Sequence, residues 1–370
     1  MAIDFNRLPK NGDELTPQWL TEALRSSGTL SAGTHVATCS AEPLGAGGGL
    51  IAMLGRVRLT YGGEPTQAPT CMILKFPSSA PENRAVADTF DMYGREVRFY
   101  QTLAAETSIG LPQCYFAISA ETSSDFVLMI EDLGDRRIGD QLLGSDLKDA
   151  EVVIDAMARL HAEHWGRTHE PRFSWITSHA NDMQIAGMEG GFAQGWPKFA
   201  SDYKDIIPPG LLRWGHRVGP NTRGILQALC AGPQTICHAD FRLENMFFAS
   251  QPAHPHFAII DWQSITKSSG AQDLSYFLTQ SVQVDVRQRN ERELLARYLD
   301  GLRRGGVAHY SADNLLTDYR RATLYLLDYA VVIASTLDLA NERGAGIARA
   351  LTERACVALD DLDCEALLPA

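Results

Sequence analysis

The chain has 370 residues, 45% of them hydrophobic and 21% charged, with seven cysteines and a formal net charge of −12. This length exceeds one small core and predicts two lobes, while the acidic balance, without any basic run, argues against general binding to nucleic acid or to an anionic membrane surface. The scattered cysteines contain no C-x-x-C pair, which suggests neither a disulfide framework nor a cysteine zinc site and suits a reducing cytoplasm.

The opening MAIDFNRLPK has no basic stretch leading into an apolar segment, so no signal peptide is visible. Thr16 followed by Pro17 reads as a helix start, and Trp19, Leu20, Ala23 and Leu24 continue at helical spacing to Gly28. Short β-like runs follow at 39–44, 54–61 and 71–76. Between the first two lie Gly45, Gly47, Gly48 and Gly49, either a plain hairpin tip or a loop whose N–H groups approach phosphate oxygens. No Gly-Lys-Ser or Gly-Lys-Thr follows, so this is not a Walker loop.

Lys75 ends the apolar run CMILKFP, where an unpaired ammonium would be costly to bury. Residues 93–103 predict a helix with Val97, Tyr100 and Leu103 on one face and Glu96 close to it. Taken singly, the two are an edge-strand lysine and a solvated glutamate. The order of glycine loop, strand lysine and helix glutamate instead suggests the pair that holds a lysine against nucleotide phosphates. A strand at 126–130 then runs into Glu131-Asp132-Leu133-Gly134, an extended connector whose main chain could meet a nucleobase edge.

Beyond this connector the texture turns helical. Residues 150–165 carry Val153, Met157, Leu160, His161 and His164 along one stripe, the histidines reading better as core residues than as metal ligands. Residues 167–234 read as loop-rich and aromatic, the aromatics either lining a pocket or filling a core. From Gly166 to Gln234 there are seven basic and five acidic side chains, a balance that favours a neutral or apolar ligand over a polycation.

The stretch 235–264 carries the most chemistry. A short strand at 235–237, the turn His238-Ala239-Asp240, a loop to Asn245, a strand at 246–248 and another at 257–260 lead to Asp261. H-x-D-x-x-x-x-N with an aspartate sixteen residues further on holds the parts of a phosphoryl-transfer site: a carboxylate for an acceptor hydroxyl, and an amide and second carboxylate for a divalent metal. Asp and Asn also favour loops for backbone reasons alone. Asp273 heads an apolar helix and either caps it or braces the His238 turn. Helices follow at 288–303, 314–339 and 346–359. The apolar run 322–340 contains Asp328 and Asp338 and reads as a buried helix, not a membrane span.

Taken together, these motifs resemble the aminoglycoside phosphotransferase and choline kinase superfamily, and most of all its ecdysteroid-kinase-like branch, through Glu96-Val97-Arg98-Phe99-Tyr100, His238-Ala239-Asp240 and Asp261-Trp262-Gln263. The resemblance implies an α+β, protein-kinase-like bilobal fold: a small β-rich N-terminal lobe, 1–133, and a large mostly helical C-terminal lobe, 134–370. It implies Asp240 as catalytic base, Asn245 and Asp261 as magnesium ligands, Lys75 as phosphate clamp and Glu96 as its partner. Gly45, Gly47, Gly48 and Gly49 would cover the triphosphate of ATP, with Glu131 and Leu133 at the hinge. Ala239 stands where glycine is common. Trp262-Gln263 replaces Phe-Gly and no Ala-Pro-Glu segment follows, so the acceptor is expected to be a small-molecule alcohol rather than a peptide. A hydroxyacyl-CoA acceptor, a nucleotide-binding pseudokinase module and a metallohydrolase built on His161, His164, His238 and Asp240 are the rival readings; oligomeric state is not legible.

Overall fold

The computed structural model describes residues 7–44, 51–121, 123–251, 257–336 and 342–369. They form two compact units. The first holds the described residues up to Thr107, together with Leu111–Arg136 and Ile260–Ser264. The second holds Ser108–Gly110, Arg137–Ile259 and the described residues from Ile265 onwards.

In the first unit, α1 (Pro17–Ser26) starts at Thr16, whose Oγ1 accepts from the Trp19 N–H at 3.2 Å, satisfying one of the N–H groups a helix start leaves open. The strands β1 (Thr34–Leu44), β2 (Ala52–Gly63) and β3 (Cys71–Pro77) follow, then α2 (Pro81–Thr89) and α3 (Met92–Thr102), and finally β4 (Cys114–Ser119) and β5 (Phe126–Glu131). The sheet has the order β1-β2-β3-β5-β4, antiparallel at every pairing. Leu20 and Leu24 of α1 share a core with Val57, Leu74, Phe76 and Met129 of the sheet. The strand expected at 39–44 begins five residues earlier, with a bulge between Val36 and Thr38. The sequence reading named neither α2 nor β4, and α2 buries only Ala87 among its nine residues, so it offers no apolar stripe to read.

The second unit contains β6 (Arg137–Ile138), α4 (Leu147–His164), α5 (Asp182–Asp202), α6 (Pro209–Trp214), α7 (Val218–Leu229), β7 (Thr235–Cys237), β8 (Met246–Phe248), β9 (Phe257–Ile259) and β10 (Thr266–Ser268). It closes with α8 (Ala271–Tyr276), a π-helical turn (Phe277–Ser281), α9 (Val284–Arg304), α10 (Ala312–Thr336) and α11 (Glu342–Asp361). Two small antiparallel sheets, β6-β8-β9 and β7-β10, frame the His238 turn and its following loop. The segment expected to be loop-rich, 167–234, is instead largely helical. Ile185, Met188, Phe192, Gly195 and Phe199 form a buried stripe along α5, and packing overrides the poor helix propensity of its glycines and of Pro197. Phe173, Phe192, Phe199 and Tyr203 are buried, so these aromatics fill a core. α10 packs on α5, α7, α8 and α11. No helix among the described residues is long and apolar enough to cross a membrane.

Candidate active site

In the second unit, β7 delivers His238 and Asp240. The turn between them places Ala239 at φ +64°, a left-handed conformation that costs an alanine about 1 kcal/mol. Two strong hydrogen bonds offset this: the Asp273 carboxylate accepts from the N–H of His238 and from that of Ala239, each at 2.8 Å. Asp273 is fully buried and also meets His161 Nε2 at 3.2 Å, while His161 Nδ1 lies 2.7 Å from the Tyr298 hydroxyl. Asp273 therefore braces the loop. Both His161 nitrogens are engaged in this brace and the His164 ring stands edge-on to Phe173, consistent with two core histidines.

The Asp240 side chain is 14% exposed and receives a donor on each oxygen. Tyr276 OH donates to Oδ1 at 3.0 Å, and Asn245 Nδ2 donates to Oδ2 at 3.0 Å. Arg242 Nε lies 3.5 Å from Oδ2. Asn245 also donates to the Asp240 main-chain carbonyl at 3.0 Å. With its amide nitrogen so occupied, the oxygen is the atom Asn245 can offer a cation. Burial, and then the charge of Asp240, push the Tyr276 phenol well above its ordinary range, so it stays protonated and donating.

The first unit assembles a second cluster. Lys75 sits on β3 with Leu54 and Leu128 as its cross-strand neighbours, and its side chain is 9% exposed. Its ammonium lies 2.7 Å from Glu96 Oε2 of α3 and 2.8 Å from Asp261 Oδ1. Burial alone would lower the Lys75 pKa, but the two carboxylates outweigh it and raise it. Glu96, 1% exposed, is pushed up to about 7 by burial against the pull of Lys75. Asp261 has φ +71°, a conformation aspartate tolerates better than most residues. Trp262 stacks on Phe99 of α3 with centroids 3.8 Å apart, tying the Asp261 turn to the helix that carries Glu96. With its amide oriented to suit its neighbours, Gln263 donates to Asp261 Oδ1 at 3.3 Å and accepts from Lys75 Nζ at 3.2 Å.

The remaining residues singled out by sequence lie at and just past the end of β5 or outside the described residues. Gly45, Gly47, Gly48 and Gly49 belong to the latter. The Glu131 N–H donates to the Gln113 carbonyl at 2.8 Å and its carboxylate pairs with Arg136 at 3.2 Å. Leu133 is buried and its carbonyl accepts from the Arg136 N–H. Between them Asp132 takes Arg56 Nε at 2.7 Å and the Gly134 N–H at 3.0 Å. Sequence reasoning missed Tyr276 and Arg56, and it named Gln263 in the Asp261-Trp262-Gln263 motif without giving it a role. Only Gln263 carries a local signal, its place two residues after Asp261.

The profile of the ecdysteroid kinase-like family matches residues 46–173 and 222–306, more than half of the chain. The chain belongs to the ecdysteroid kinase-like family. As a member it is a phosphotransferase of the alcohol-acceptor kind. No curated protein matches the sequence. Among solved structures, a microcompartment-associated aminopropanol kinase is 16% identical with a TM-score of 0.53, covering 94% of this chain and 99% of its own. An ethanolamine kinase from Plasmodium vivax is 10% identical with a TM-score of 0.52, covering 91% and 87%. The GDP complex of aminoglycoside 2′-phosphotransferase-IIIa is 13% identical with a TM-score of 0.52, covering 92% and 98%. At these identities the likeness is one of fold: this family member has the α+β, protein-kinase-like bilobal architecture.

Proposed function

We propose that the chain is an ATP- and magnesium-dependent kinase that transfers the γ-phosphate to a hydroxyl of a small, neutral or apolar organic molecule. The observation that carries this reading is Asp240, a carboxylate with a donor on each oxygen, on a loop whose backbone N–H groups end on a buried aspartate. Such a group is held in one orientation on its loop. It takes the proton of the acceptor hydroxyl as the new O–P bond forms and the bond to the departing ADP breaks.

Asn245 and Asp261 carry oxygen atoms, hard ligands of the kind magnesium takes. When bound, the ion supplies neutralisation of charge on the nucleotide phosphates. In this reading Lys75, kept charged by its carboxylates, binds the α and β phosphates, and Glu96 holds its ammonium in place. Gly45, Gly47, Gly48 and Gly49 offer N–H groups to the triphosphate, and main chain at Glu131 and Leu133 meets the nucleobase. The fold neighbours named above are kinases of amino alcohols and of aminoglycosides. For this chain the seven basic against five acidic side chains of 166–234 favour an uncharged acceptor.

The test is magnesium-dependent ATP consumption against separate pools of small alcohols, sterols, aminoglycosides and hydroxyacyl-CoA esters, with Asp240→Asn alongside. Turnover is expected with the alcohol or sterol pool, and a loss of about a hundredfold or more in the variant with ATP still bound. Full turnover by Asp240→Asn would sink the assignment of the base, and turnover only with aminoglycosides would overturn the acceptor class.

A further inference from the structure

Asp273 and Tyr276 stand three residues apart on α8 and so share a face of that helix. Both end on the same short segment, 238–240. Asp273 holds the backbone N–H groups of His238 and Ala239, and Tyr276 holds the carboxylate of Asp240. One helical turn therefore fixes the main chain that carries the base and the side chain of the base itself.

The helix changes form immediately after Tyr276. Residues Phe277–Ser281 make a π-helical turn, closed by the Val282 N–H on the Phe277 carbonyl at 3.2 Å, a widening that recurs at functional sites. Within it the Gln280 carbonyl accepts from Gln141 Nε2 at 2.8 Å, and Gln141 Oε1 accepts from the Leu243 N–H at 2.9 Å. The same stretch of chain thus reaches the 238–245 loop at two places. The Tyr276 ring is 3% exposed and stands edge-on to Tyr329 of α10, with centroids 6.0 Å apart. Its direction is set by packing, not by the hydrogen bond.

A carboxylate rotates in a broad torsional well, so a single donor leaves it free to swivel. Asn245 supplies one donor, but its oxygen is also the atom a cation would draw on. Tyr276 holds the other oxygen from a separate element. We propose that Tyr276 is a positioning residue for phosphoryl transfer: its hydroxyl fixes the rotation of the Asp240 carboxylate so that a lone pair stays aimed at the acceptor hydroxyl. This rests on the reading of Asp240 as the base.

The experiment compares wild type, Tyr276→Phe, Asp240→Asn and the double variant in magnesium-dependent ATP consumption, first with water as the only acceptor and then with the pool that supports turnover. Tyr276→Phe keeps the ring, and the Asp240 side chain it faces is 14% exposed, so the unfolding midpoint is expected to hold. The kcat is expected to fall about ten- to a hundredfold, the scale of a hydrogen bond to a charged group, with KM for ATP unchanged. The double variant is expected to be no slower than Asp240→Asn, because the hydroxyl acts only through that carboxylate. Unchanged kcat, an additive loss in the double variant, or a fall in kcat matched by equal losses in ATP affinity and unfolding midpoint would each overturn the proposal. Asp240→Asn turning over like wild type is the separate outcome in which the base assignment itself fails and takes this proposal with it.

Discussion

Lys75 is the residue on which the first unit concentrates its charge, and its energetics separate structure from function. A buried ion pair gains little over a hydrophobic pair of the same size, but removing one partner leaves the other charge stranded. Lys75→Met strands Glu96, which is 1% exposed, while Asp261 at 27% exposure keeps contact with water. Lys75→Met is therefore expected to cost about 3 kcal/mol or more in urea unfolding. Adding Glu96→Leu is expected to restore most of that stability, with turnover absent from both variants. Equal stability of the single and double variants would show that the pair is not what holds β3 to α3. The order of glycine loop, strand lysine and helix glutamate makes Lys75 and Glu96 legible from sequence, because each sits on an element with its own periodicity. Tyr276 is not legible. Its partner lies thirty-six residues away, and a tyrosine in an apolar run is ordinary.

At the scale of elements, α5 shows why helical texture is harder to read than a motif. Its sequence, DMQIAGMEGGFAQGWPKFASD, contains four glycines and Pro197, each unfavourable inside a helix. The signal that outweighs them is the spacing of Ile185, Met188, Phe192 and Phe199, whose burial in the core of the second unit contributes about 1.5–3 kcal/mol per large side chain. The glycines themselves divide by what a methyl group would meet. At Gly187 and Gly190 nothing lies within 4 Å of an added Cβ, whereas at Gly191 the Cβ would approach a Val332 methyl to 2.8 Å. Gly187→Ala and Gly190→Ala are each expected to raise stability by about 0.5–1 kcal/mol through backbone entropy and helix propensity. Gly191→Ala is expected to be neutral or destabilising. Thermal unfolding of the three variants checks this, and a gain at Gly191 equal to that at Gly190 would contradict the close packing of α5 on α10.

For the whole molecule, the change from β-rich to helical texture near residue 131 is legible because it is a shift of periodicity over long stretches. The return of Ile260–Ser264 to the first unit is not, since five residues carry no compositional mark of where they pack. Nor does the sequence show that α10 buries an acid in the second unit's core, where Asp328 is fully inaccessible and the Thr222 hydroxyl of α7 donates to one of its oxygens. Burial pushes the Asp328 carboxyl up to about 7, the Thr222 hydroxyl pulls it down, and the charge of Glu189 on α5 adds to the rise. The sign follows from which state holds the proton. Unfolded, Asp328 ionises near its ordinary 3.8; folded, it keeps its proton to about 7. Its contribution to stability is thus complete below the unfolded pKa, declines as pH rises between the two values at up to about 1.4 kcal/mol per pH unit, and is gone above the folded one. Asp328→Asn keeps an acceptor for Thr222 and removes the charge. At pH 8 it is expected to raise the unfolding midpoint, by an amount on the order of 2–4 kcal/mol in free energy. At pH 5, where the folded acid is neutral and only the unfolded one is ionised, the difference is expected to shrink to about 1–2 kcal/mol. Urea unfolding of both proteins across this range decides it, and a difference that does not change with pH would mean that Asp328 carries no displaced proton.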